Sequence, residues 1–80
     1  PSREDAISKA FDEWVGQHPR LSATQLMFVR TLRKAVMQKA EITSLEALRK
    51  PPFSSIGDPE QLFSTSDLAD LLELAKDCAA

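Results

Sequence analysis

Eighty residues, 42% hydrophobic and 28% charged, describe one ordinary globular domain rather than a disordered or fibrous chain. A formal charge of −2 excludes a strongly basic nucleic-acid module as a whole, and no apolar run approaches the ~20 residues of a membrane span. One cysteine, Cys78, excludes an internal disulfide or a thiolate metal cluster and fits a reducing cytoplasmic setting. Two glycines, no tyrosine and few β-branched runs argue against an all-β fold.

The first helix is expected over Arg3 to Val15. Ser2 can cap it, with Asp5 in the reciprocal position of a capping box. Ile7, Ala10, Phe11, Trp14 and Val15 share one face, and Asp5, Lys9 and Glu13 form i,i+4 charge pairs on the other. Gly16 is placed to end the helix, and Pro19 blocks its continuation. Phe11 and Trp14, at helical spacing on the apolar face, read as core; a ligand-stacking pair is the alternative. His18 is the only histidine, and no nucleophile or carboxylate is spaced around it in sequence, so no catalytic role is expected.

The chain is organised around Leu21 to Ala40, which predicts a central helix over residues 22–40. Ser22 and Gln25 repeat the capping-box spacing, and Leu21 with Leu26 fits a hydrophobic staple. Phe28, Val29, Leu32, Ala35, Val36 and Ala40 fill one broad side, extended by Leu26 and Met37. That stripe is wider than one neighbour requires, so the other helices are expected around it. The polar remainder is basic. Arg30, Arg33 and Lys34 form a ridge, and Lys39 lies opposite. Like charges three or four apart cost a helix about 0.2–0.5 kcal/mol per pair. No acid occurs between Glu13 and Glu41, so the helix has no carboxylate of its own to neutralise the ridge. Two readings stand: a solvated, screened face, or a docking ridge for an anionic partner. Met27 and Met37 flank the ridge, and methionine adapts to partner surfaces.

Thr43 and Glu46 make a further capping-box spacing before a short helix over Ser44 to Arg49, which Pro51 and Pro52 stop. The aperiodic segment that follows holds two large apolar groups, Phe53 and Ile56, expected to pin it to the helices. A proline-rich peptide ligand at Lys50–Phe53 is a weaker reading. Asp58-Pro59 can start a single turn through Leu62. Ser64 and Asp67, with Phe63 and Leu68 at staple positions, open the last helix over Thr65 to Cys78. Its apolar side is Leu68, Leu71, Leu72, Leu74, Ala75 and Cys78; Asp70, Glu73 and Asp77 line the opposite side. With the leucines inward, this acidic stripe points to water and cannot meet the basic ridge of its own molecule.

The predicted fold is therefore all-α: a small bundle of three main helices, plus one or two short ones, around the central helix. No metal-ligand spacing, Gly-rich phosphate loop, Ser/His/Asp set or Cys/His pair appears. No catalytic, cofactor or metal residue is expected.

Several residues line up into a further pattern. Phe11-x-x-Trp14 precedes a proline-containing turn. Leu21-Ser22-x-x-Gln25-x-x-Phe28-Val29, then Ile42, Pro52-Phe53 with Gly57, and Leu62-Phe63 before a leucine-rich helix follow in order. From Phe11 to Leu74 the chain resembles the C-terminal helical domain of the R (HsdR) subunit of type I restriction–modification enzymes, EcoEI-like variety. It departs at Asp58, where a second glycine is expected after Gly57. The resemblance implies a subunit that translocates and cuts DNA while hydrolysing ATP with Mg2+, its helicase and nuclease motifs lying N-terminal to this piece. None of those motifs is in this chain, so the fragment is expected to be catalytically inert by itself. Its start at Pro1 fits an excised domain. The resemblance further implies attachment of the R subunit to the methyltransferase (M) and specificity (S) subunits. The candidate partner-binding residues are Met27, Arg30, Arg33, Lys34 and Met37. Contact of the same ridge with DNA, and a structural cap on the rest of the R subunit, are the alternatives.

Overall fold

The computed structural model describes residues 2–79; Pro1, read above as the start of an excised domain, and Ala80 lie outside them. Four α-helices follow in order: α1 (Arg3–Gly16), α2 (Ala23–Met37), the single turn α3 (Pro59–Leu62) and α4 (Thr65–Ala79). Two 3-10 turns, Leu45–Arg49 and Phe53–Ser55, lie between α2 and α3. The fold is all-helical, with no strand among the described residues.

The first two of the three long helices begin where their caps place them. Ser2 Oγ accepts from the Asp5 N–H at 3.1 Å, and the Ser2 N–H donates to Asp5 Oδ2 at 3.4 Å. Ser22 and Gln25 make the same reciprocal pair at 3.1 and 2.7 Å. Such a box satisfies two backbone groups that a helix end would otherwise leave unpaired. Gly16 is the last residue of α1, and it does not adopt a positive φ. A β-carbon built there meets nothing within 4 Å. Gly16→Ala is therefore expected to raise stability by about 0.5–1 kcal/mol, the usual helical cost of glycine, read as a higher urea midpoint.

α2 is shorter than predicted. It ends at Met37, and Lys39 takes a left-handed conformation with φ 63°. The Lys39 N–H donates to Val36 O and the Ala40 N–H to Ala35 O, both at 3.0 Å, which closes the helix in a Schellman-type end. Ala40 is thus exposed rather than part of the apolar stripe. The cause is tertiary. Arg3 of α1 donates to Val36 O at 3.0 Å and Met37 O at 3.4 Å, capping the last carbonyls of α2 while the chain turns to bury Ile42. The predicted Thr43–Glu46 cap also fails: Ser44 is the N-cap, without a side-chain bond, and the segment is a 3-10 turn.

α1, α2 and α4 pack on one another, with α2 also touching the Phe53–Ser55 turn. Phe28 and Leu32 of α2, Leu48 and Leu71 have no exposed surface, and Phe11 and Phe53 have almost none. The rings of Phe53 and Phe63 lie 5.1 and 5.4 Å from that of Phe28. Phe53 therefore pins its loop to the central helix, as expected, and is not displayed for a peptide-binding partner. An Arg49–Glu60 ion pair fastens the first 3-10 turn to α3.

Candidate docking ridge on α2

Positions 27, 30 and 34 recur at helical spacing on the side of α2 away from the core. Arg30 and Lys34 are exposed there, and Met27, 55% exposed, is the one large hydrophobic side chain so exposed among the described residues. Ala23, Met27, Arg30, Thr31 and Lys34 line a shallow depression. The Thr31 hydroxyl donates back to Met27 O at 2.8 Å, so its proton is committed within the helix and only its lone pairs face outward contacts. Beside this depression, α1 and α2 enclose a cleft of about 170 Å³ lined by Phe11, Asp12, Val15, Leu26, Val29, Arg30 and Arg33. Arg30 borders both hollows. The surface thus alternates cations with accessible apolar atoms.

The other two candidates sit differently. Arg33 is not without a partner: its Nη1 lies 3.6 Å from Asp12 Oδ1 of α1, with the two side chains 35% and 73% exposed. A pair so exposed contributes little to stability. It nevertheless reduces the unneutralised ridge to Arg30 and Lys34. Met37 is half-buried against the core, at the helix end held by Arg3, and is not part of the exposed strip. The acidic side of α4 emerges as expected. Asp70, Glu73 and Asp77 are exposed and make no ion pair with the ridge.

His18 has surroundings that its sequence neighbours do not show. Its Nε2 lies 3.3 Å from Asp67 Oδ1 of α4, its Nδ1 lies 2.7 Å from Trp14 O, and its ring stacks on Trp14 at 3.8 Å. Trp14 itself is core, 7% exposed, with its Nε1–H buried and lacking a hydrogen-bond partner. Cys78 is half-buried; burial first, then Asp77, pushes its thiol above the ordinary range, with Arg3 opposing. A thiol held protonated is a poor nucleophile. Neither glycine opens a phosphate-cradling loop. Gly16 closes α1, and a β-carbon on Gly57 would meet Leu62 at 3.1 Å. No helix among the described residues is long and apolar enough to cross a membrane.

Core, caps and polarised surface together define a small all-helical domain, basic along α2 and acidic along α4. Its family follows from comparison with known proteins: the chain belongs to the EcoEI R protein C-terminal family, whose model matches residues 1–77. It is thus a C-terminal domain of the type I restriction enzyme R subunit kind. The match extends beyond the Phe11–Leu74 span of the motif resemblance. Neither the curated proteins nor the solved structures contain a significant match to the chain.

Proposed function

We propose that residues 1–80 fold as one non-catalytic unit through which a cytoplasmic R subunit docks onto its methyltransferase and specificity subunits. ATP and Mg2+ chemistry, translocation and cleavage then belong to the remainder of the R subunit. The observation that carries this reading is the exposed Met27–Arg30–Lys34 strip beside the α1–α2 cleft, whose two cations have no carboxylate partner among the described residues. An exposed apolar side chain flanked by unneutralised charge gains most when a partner covers it. An R subunit lacking these residues is expected to remain folded by circular dichroism yet no longer co-purify with the methyltransferase core. Undiminished co-purification would overturn the assignment.

The same two cations favour a second reading, contact with DNA phosphates. With Arg33 engaged by Asp12, only about two phosphates would be neutralised, giving a log–log salt slope of roughly −2. Duplex binding with that slope, in the absence of the methyltransferase core, would support this reading over docking.

A further inference from the structure

The one histidine, which the docking reading does not use, faces two carboxylates. We propose that His18, Asp67 and Asp70 form a site for a divalent transition-metal ion of the zinc class, fastening the turn after α1 to the first two turns of α4. One imidazole nitrogen and one oxygen from each carboxylate lie within 4.8 Å of one another. Asp67 and Asp70 are three apart on α4, so both project from the same side of the helix.

The imidazole is set in advance for such a role. A carbonyl oxygen only accepts, so the 2.7 Å contact with Trp14 O places a hydrogen on Nδ1. In the neutral ring Nε2 is then the lone-pair nitrogen, and it lies 3.3 Å from Asp67 Oδ1. Two lone pairs at that separation repel unless a positive centre joins them. Donating the second ring N–H to a backbone carbonyl is what orients metal-binding histidines generally. The face of the ring is fixed as well, by stacking on the buried Trp14 at 3.8 Å and 18°.

The spacing fits the ion. Zinc bonds of about 2.0–2.1 Å to nitrogen and oxygen put neighbouring ligand atoms of a tetrahedral site about 3.3–3.4 Å apart. The Nε2–Oδ1 edge is already of that length. Asp70 is exposed and free to swing its carboxylate onto a third vertex, leaving the fourth for water. A nitrogen in the donor set selects zinc-type ions over Mg2+ or Ca2+, which prefer all-oxygen shells. Two carboxylates offset the repulsion a cation meets at the N-terminal end of α4. Arg20 lines the same open hollow and also opposes a cation, so the site is one of moderate affinity.

The competing explanation is a proton on Nε2, making a plain His18–Asp67 ion pair. Asp70 separates the two, since the ion pair does not need it. Calorimetric titration of ZnCl2 into the protein, with MgCl2 in parallel, is expected to show one saturable zinc per chain and no matching magnesium uptake. Asp70→Asn should weaken zinc binding about tenfold or more, as loss of a ligand does, while leaving the metal-free melting temperature unchanged. Glu73→Gln and Asp77→Asn, further along the exposed side of α4, should leave zinc binding as it was. Wild-type affinity in Asp70→Asn would overturn the site in favour of the protonated pair. Equal losses in Glu73→Gln or Asp77→Asn would overturn it in favour of diffuse surface binding.

Discussion

Phe28→Ala is expected to lower the stability of the domain by about 3–5 kcal/mol, the range for a buried phenylalanine cut to alanine. Phe28 has no exposed surface and lies on the central helix. The lost ring leaves a cavity, and it also leaves two aromatic contacts unmade. Phe53 reaches it from the loop after α2, tilted by 38°, and Phe63 from the link before α4, edge-on at 70°. These neighbours belong to separate segments, each packed into the core, so the walls cannot all collapse into the space. A domain of this length has about 4–12 kcal/mol to lose. Urea unfolding followed by circular dichroism should show a midpoint much reduced at nearly unchanged slope. A loss under about 1 kcal/mol would mean that the three rings do not form the centre of the core.

The second large effect concerns association. Arg30→Glu combined with Lys34→Glu is expected to weaken binding of the intact R subunit to the methyltransferase core by about 30- to 1,000-fold. That corresponds to roughly 2–4 kcal/mol, the scale of replacing attraction by like-charge repulsion across an interface. Both side chains are exposed and neither is in an ion pair among the described residues, so the fold should change by less than about 0.5 kcal/mol. Lys39→Glu is the matching control: it is exposed, lies beyond the end of α2, and should leave association unaltered. Equal weakening by Lys39→Glu would point to net charge rather than to the ridge.

What was legible beforehand was local. Ser2–Asp5 and Ser22–Gln25 are determined by residues three apart, and both caps form. The broad stripe of α2 correctly implied neighbours on more than one side, and the leucine side of α4 correctly put its acids in water. What could not be read depends on how helices meet. The end of α2 carries no glycine; its carbonyls are capped by Arg3, distant in sequence, and Lys39 takes the left-handed position that glycine normally fills. The Asp12–Arg33 and His18–Asp67 pairs each join two elements, and only the packing register brings them together. The α1–α2 cleft beside Arg30 has the same origin, since neither helix alone shows a hollow. A capping-box spacing at Thr43–Glu46 was a false signal, because two prolines and the need to bury Leu48 and Phe53 favour 3-10 turns there.

The most direct test of the docking account is an NMR titration of the isotopically labelled chain, with the methyltransferase core in one series and duplex DNA in the other. Docking through the ridge predicts shifts or broadening with the core, centred on Met27, Arg30 and Lys34 and reaching Phe11 and Val15 across the cleft, with α4 silent. Shifts that appear with DNA alone and fade as salt rises, or no response in either series, would contradict it.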